Sequence, residues 1–450
     1  MTLRDYLQKL FHHKDVKRIL SDVNSDLEIA AMCRSEFTSE SGGSALLFEA
    51  VRGTSVRVAA NLFGTKERLL RMLDLDEGLL TQKIRTMIHS GAQDAAGNLT
   101  AFCNTSSMGS APAEYPLRDL TLKDIPGLRS WPGEKDRYLT LALTHTVSPD
   151  SGTCNLGLYR AALVGDREIA LNFAIGSGAD GHLKLAEERG EPLPVALILG
   201  TDPVLFWAAA APLPGECSEY GFAQALSGRA IKLSDCLTQP LSVPANAEIL
   251  IEGEIRPGDR IKEGPFGNHT GQYVERADCP LMTVTAIRHR GRPIMPTTVV
   301  GPPPSENIRL AHLNEALLRE MLCYDFPLIT DMAMPERTIF HGAAIISVRE
   351  CSAEDVADLI PKLTSLASLG RSRLLVLLDD DINIRDYNSS WWRFVNLLSP
   401  ERVTSTDRGL IINATGVDRK RLVTEDPGVT ALVHNRQYEI APDHQEQQQR

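Results

Sequence analysis

The sequence predicts a multidomain chain of mixed α+β and α/β class. It reads as a small α/β unit, an antiparallel barrel with helical insertions, and a second α/β domain on a parallel sheet. Three observations carry this. A length of 450 residues sets an expectation of about two to four domains. Residues 111–304 are mainly strand-like, with a strong hairpin signal at Gly165-Asp166. Beyond Gly301-Pro302-Pro303-Pro304, strand and helix patterns alternate.

In order along the chain, Leu3–Phe11 has the spacing of an amphipathic helix. Ala45-Leu46-Leu47-Phe48 and Val56–Phe63 read as strands, and Lys66–Leu75 as a helix. Ser106–Pro116, rich in Ser, Ala, Gly and Pro, reads as a linker that closes a first unit of residues 1–110. Arg137–Val147 alternates apolar and polar residues, and Asn155–Val164 and Arg167–Ile175 flank the Gly-Asp turn. Leu183–Arg189 reads as a helix and Val195–Leu199 as a buried strand. Ala247–Ile255 and Leu281–His289 are further strands, the latter followed by the turn Arg290-Gly291-Arg292-Pro293. Asn307–Leu322 has helical spacing, so residues 305–325 form a connecting helix. Ala343–Val348, Ala353–Leu366, Arg373–Leu378 and Asn388–Leu398 alternate strand and helix within a domain of residues 326–442. The Gln-rich residues 443–450 are expected to fray as a disordered tail.

Hydrophobic content of 43% and charged content of 23% exclude a disordered chain. A formal charge of −11 argues against nucleic acid and anionic membrane as partners, since both need a basic surface. The most apolar runs, Ala208–Pro212 and Leu374–Leu378, are far shorter than the ~20 residues of a membrane span. Met1–Tyr6 lacks the apolar core of a signal peptide, so a cytoplasmic location is expected. The eight cysteines contain no CxxC pair, which points to reduced, mostly buried thiols rather than a zinc or redox site. A P-loop and a GxSxG elbow are absent.

Four stretches could carry chemistry. In Asn155-Leu156-Gly157-Leu158-Tyr159-Arg160, strand alternation puts Asn155, Gly157 and Tyr159 on one face and Arg160 on the other, unless the strand bends. An amide oxygen can bind a hard cation and a guanidinium can clamp a carboxylate; the plain alternative is a hairpin with a surface arginine. Glu263–Gly271 reads as a backbone-constrained loop in which Glu263 or His269 could do acid–base work, or else as a polar hairpin loop. In Pro212–Tyr220, Ser218 reads as a helix cap with Glu219 in the first turn, and Glu219 as a metal ligand is the alternative. Asp379-Asp380-Asp381 follows an apolar strand, where ending the strand is favoured over binding a ligand. Trp391 and Trp392 read as packing or interface residues.

Taken together, the chain resembles the UbiD-like decarboxylases, which use prenylated FMN. The resemblance is carried by Gly43–Glu49, Asn61-Leu62-Phe63-Gly64-Thr65, Asn155–Arg160, Glu191-Pro192-Leu193-Pro194, Ala208–Pro214, Val243–Ile249, Glu263–Gly271 and Asp379–Asp381, in the family's order. It implies a split β-barrel flavin-binding domain, a connecting helix and a C-terminal α/β oligomerisation domain. It implies reversible, non-oxidative decarboxylation of an aromatic or α,β-unsaturated carboxylic acid, with the modified flavin as electron sink and an acid as proton donor. A flavin prenyltransferase would supply the cofactor, and a homodimer or homohexamer is expected.

Residue by residue, the resemblance implies that Asn155 and Glu219 bind a divalent metal, Mn²⁺ or Mg²⁺, with K⁺ as a further cation. Arg160 matches the active-site arginine and Glu263 the first carboxylate of a Glu–Arg–acid network. The cofactor segment comprises Asn155, Leu156, Gly157, Leu158, Tyr159 and Arg160, together with Ser177, Gly178 and Glu219. Two positions depart from the family. Asn268 stands where it carries Asp or Glu, and a carboxamide has no proton to donate. Gly178 stands where it carries a histidine ligand, with His182 four residues on. Glu263, His269 or a water would then donate the proton, and Gly176-Ser177-Gly178 could cradle a phosphate. Three readings follow: an active decarboxylase with a specialised substrate, a carboxylase or partner-dependent subunit, and a non-catalytic flavin-binding paralogue.

Overall fold

The computed structural model describes residues 1–39, 42–338, 342–366, 369, 372–407, 409–421, 423 and 427–440. The expected tail of residues 443–450 lies outside the described residues.

The N-terminal unit begins with the expected helix, Leu3–His12, closed at its start by a Thr2–Asp5 capping box. It packs beside a four-stranded sheet. Val16–Val23 pairs parallel with Ala45–Val51, which pairs antiparallel with Arg57–Ala60. The fourth strand, Ile294–Thr297, comes from far along the chain and pairs parallel with Arg57–Ala60, so this unit is not continuous in sequence. The helices Lys66–Leu73, Glu77–Ile88 and Ala95–Asn104 complete it, each capped by the side chain before it: Thr65, Asp76 and Asp94.

The central domain is a curled, wholly antiparallel sheet of nine strands among the described residues. Two expected strands are broken. Arg137–Val147 divides into Arg137–Leu139 and Leu143–Val147. Asn155–Val164 divides into Cys154–Leu158 and Ala161–Leu163, because the chain turns at Tyr159-Arg160 from one end of the sheet to the other. Cys154–Leu158 pairs with Leu143–Val147, whereas Ala161–Leu163 forms the expected hairpin with Glu168–Leu171. The expected linker is stitched into structure, since Gly109–Ser110 pairs with Lys232–Asp235. The expected Glu263–Gly271 loop is largely strand: Arg260–Gly267 pairs with the long strand Tyr273–His289, leaving only residues 268–272 as the turn.

Leu139, Ala161, Leu171, Leu197 and Ile251 pack on one face of the sheet with the helix Glu28–Phe37, while Leu143, Ala196, Ile198 and Leu250 pack on the other with the remaining N-terminal helices. The helix Glu306–Asp325 leads to a five-stranded sheet. In that sheet Ala343–Val348, Leu374–Asp379 and Leu410–Ala414 run parallel between antiparallel edges. Asp379 binds the N–H groups of Gly416 and Val417, Asp380 pairs with Arg419 and Asp381 with Arg393, so the three acids hold the strand end in place.

Candidate active site

The break at Tyr159-Arg160 frees Arg160 from strand alternation and sends its guanidinium across to Arg260–Gly267. There its Nε donates to Glu263 Oε1 at 2.8 Å and its Nη2 to Oε2 at 2.6 Å. Glu263 is fully buried, and Asn172 Nδ2 donates to the same Oε2 at 2.8 Å. A buried carboxylate is tolerated only when paired and hydrogen-bonded in this way. Its position depends on Gly264, whose φ of +103° is open to glycine and whose Cβ would lie 2.6 Å from the Val274 carbonyl oxygen. The pairing register slips between Glu263 and Phe266, as at a bulge, which turns Glu263 inward. The Phe266 ring then lies 4.5 Å beneath the Arg160 guanidinium and 4.6 Å from the Tyr138 ring. Arg160 Nη1 has no protein partner among the described residues and remains available to an incoming anion.

Asn268 does not join this pair. Its amide oxygen accepts from Thr270 N–H at 2.9 Å and Thr270 Oγ1 at 2.6 Å, closing the hairpin turn. His269, on the same turn, is held below its ordinary value by burial and by Arg373 of the C-terminal domain. The turn therefore faces across to that domain.

A second cluster surrounds Cys154–Leu158. Ser218 caps the helix Glu219–Ser227, accepting from Gly221 N–H at 3.1 Å, as expected. Its first residue, Glu219, turns toward Leu156 N–H; burial raises the Glu219 carboxyl to about 7, partly offset by hydrogen bonds from its own N–H and that of Leu156. No cation pairs with Glu219 among the described residues. From the other side comes the helix Gly178–Arg189, capped by Ser177. Its first residue packs directly on Asn155, and a Cβ at Gly178 would lie 2.2 Å from Asn155 Oδ1. Asn155 Nδ2 is buried without a hydrogen-bond partner. The Tyr159 ring folds over Gly157, and its hydroxyl faces Asn155, Ser177 and Ala179 N–H.

His182 points to the same side of the sheet as Asn155, but its Nδ1 is engaged by Thr146 Oγ1 at 2.9 Å. Gly176 N–H is taken by Asp180 at 2.9 Å, so that part of the Gly-Ser-Gly run is already satisfied from within. No group of three His, Cys, Asp or Glu side chains that could hold a metal occurs among the described residues. An uncompensated carboxyl, an orphaned amide and two helix N-termini nonetheless suit a cation bound together with an anionic group such as a phosphate. The residues present thus fit a metal held largely by oxygen, with Asn155 and Glu219 as the protein's share.

Sequence reasoning did not find Asn172 or Tyr138, which lie on the hairpin and strand around Glu263. All eight cysteines are free, four of them buried and Cys154 exposed. No helix among the described residues is long and apolar enough to cross a membrane.

A curled antiparallel sheet between two α/β domains, with an Arg–Glu clamp joining two of its segments, defines a class that comparison makes specific. Three consecutive family models match: the 3-octaprenyl-4-hydroxybenzoate carboxy-lyase N-terminal domain at 7–88, its Rift-related domain at 106–303 and its C-terminal domain at 309–414. An uncharacterized protein of Archaeoglobus fulgidus is 32% identical over 89% of this chain and 85% of its own length. The chain belongs to the UbiD family, whose members are carboxy-lyases. Among solved structures, an evolved dimeric form of the UbiD-class enzyme HmfF from Pelotomaculum thermopropionicum in complex with prFMN is 25% identical. It matches with a TM-score of 0.78 over 96% of this chain and 98% of its own. Vanillic acid decarboxylase of Sedimentibacter hydroxybenzoicus in closed form shares the fold at 22% identity and TM-score 0.82, over 98% and 99% of the two chains.

Proposed function

We propose that this chain catalyses reversible, non-oxidative decarboxylation of an aromatic or α,β-unsaturated carboxylic acid, using prenylated FMN and a divalent metal, Mn²⁺ or Mg²⁺. The observation that carries this reading is the Arg160–Glu263 pair. Glu263, itself fixed by Asn172, holds the guanidinium in one orientation, and Nη1 is left to receive the substrate carboxylate. When bound, the prenylated flavin supplies the sink for the electron pair left behind as CO2 departs. Asn155 and Glu219 hold the metal, and the N-terminus of Gly178–Arg189 stands beside them for the flavin phosphate. Because the nitrogen ligand is absent at Gly178, oxygen donors dominate and favour Mg²⁺ or Mn²⁺ over softer ions. A flavin prenyltransferase supplies the cofactor. The working form is a homodimer or homohexamer, with Trp391 and Trp392, 63% and 59% exposed, at the contact.

The test is to co-produce the chain with a flavin prenyltransferase and record the visible spectrum, the intact mass of the bound molecule and the metal content. Prenylated FMN with Mn²⁺ or Mg²⁺ is the expected result. Unmodified FMN or an empty protein would instead favour the flavin-binding paralogue.

A further inference from the structure

Decarboxylation consumes a proton, and the usual carriers of it are spent in this chain. Asn268 has none to give, and its amide is committed to Thr270. Glu263 takes three donated hydrogen bonds, from Arg160 and Asn172, so both its oxygens are already engaged.

The segment before Tyr138 runs alongside Arg260–Gly267 and is fixed to it at two points. Glu134, buried, accepts from Ser130 N–H at 2.6 Å, Trp131 N–H at 3.1 Å and Gly267 N–H at 3.0 Å. The Tyr138 ring packs 4.6 Å from that of Phe266. Asp136 sits between these anchors, two residues from each, and so lies alongside Phe266-Gly267, the Phe266 ring being the one beneath the Arg160 guanidinium. It is half-buried, and it has no hydrogen-bond or ion-pair partner among the described residues.

We propose that Asp136 is the proton source of this reaction, standing beside the Arg160–Glu263 pair in place of an acid at position 268. The inference rests on the decarboxylase reading above. The C–C bond of the substrate carboxylate breaks and releases CO2, and the electron pair stays with the carbon. The Asp136 hydroxyl proton forms the new C–H bond, and the carboxylate left behind regains a proton from water at its exposed edge. Burial, and then the negative charge of Glu263, hold Asp136 above the usual carboxylate range. The charged and titratable groups around it are Glu263, Tyr138 and the exposed Lys135.

The experiment compares wild type, Asp136→Asn and Asp136→Glu as prenylated-FMN holoenzymes on a panel of aromatic and unsaturated acids. CO2 release is followed against pH. The expected result is a loss of at least about 100-fold in kcat for Asp136→Asn, the usual worth of a general acid. KM and bound flavin stay unchanged, and Asp136→Glu restores part of the rate. The wild-type rate should fall as pH rises through the Asp136 titration, and this limb should vanish in Asp136→Asn. Turnover by Asp136→Asn within twofold of wild type, with the same pH profile, overturns this inference alone. A wild type that releases no CO2 from any acid overturns the decarboxylase reading and this inference with it.

Discussion

Arg160 and Glu263 lie 103 positions apart in sequence and meet as a two-bond clamp, Nε to Oε1 and Nη2 to Oε2. The carboxylate is fully buried and the guanidinium partly exposed, so one end of the clamp is structural and the other faces the site.

Removing Arg160 therefore does more than remove a substrate contact. Arg160→Ala leaves Glu263 buried without a counter-charge, at a cost of about 3–5 kcal/mol. Both CO2 release and thermal stability should fall. Arg160→Ala combined with Glu263→Gln should recover most of the stability and none of the activity. Denaturation of the single and double variants checks this, and an unchanged midpoint for Arg160→Ala would contradict it.

Glu219 predicts a pH dependence of stability. Its carboxyl rises from 4.5 to about 7 on folding because it is buried without a cation. The folded state therefore holds a proton that the unfolded state gives up over that range. Stability of metal-free protein falls as pH rises from about 4.5 to about 7. Mn²⁺ should reverse the trend by compensating the carboxylate, and Glu219→Gln should flatten it. Melting temperatures from pH 4 to 8, with and without Mn²⁺, measure both.

Gly178→Ala places a methyl where Asn155 Oδ1 now lies, 2.2 Å from the ideal position. Asn155 must turn away, and the cofactor cradle opens with it. Flavin and metal affinity should drop about 10- to 100-fold, the range seen when supporting groups of a metal site are lost. Equilibrium dialysis of the bound flavin and metal tests this, and full retention of both would show that Asn155 is not a ligand.

Asn268→Asp should be tolerated, because both turn hydrogen bonds end on Oδ1, which a carboxylate keeps. Asn268→Leu loses both and, the turn being exposed, should cost about 0.5–1.5 kcal/mol. Comparing the two melting curves separates a turn residue from one required by the substrate.

Much of this site was legible because its motifs are local. Arg160, Glu263 and Glu219 stand out by residue type within constrained segments, and Ser218 before Glu219 announces a helix start. Arg160's direction was not legible, since alternation points it away from Asn155's face and only the turn at Tyr159-Arg160 redirects it. Asn172 and Asp136 were also missed. Asn172 reaches Glu263 through hairpin packing, 91 positions away, and nothing local marks it or Asp136. The same holds for Ile294–Thr297, whose apolar pattern does not reveal that it completes the N-terminal sheet.

The central claim is that this chain removes CO2 from a carboxylic acid at the Arg160–Glu263 pair. The most direct measurement is exchange of ¹³C-bicarbonate into the carboxyl group of candidate acids by the prenylated-FMN holoenzyme, with Glu263→Gln as control. The account predicts label in at least one aromatic or unsaturated acid with wild type and none with Glu263→Gln. Equal exchange by the two proteins, or none by a wild type carrying prenylated FMN, would contradict it.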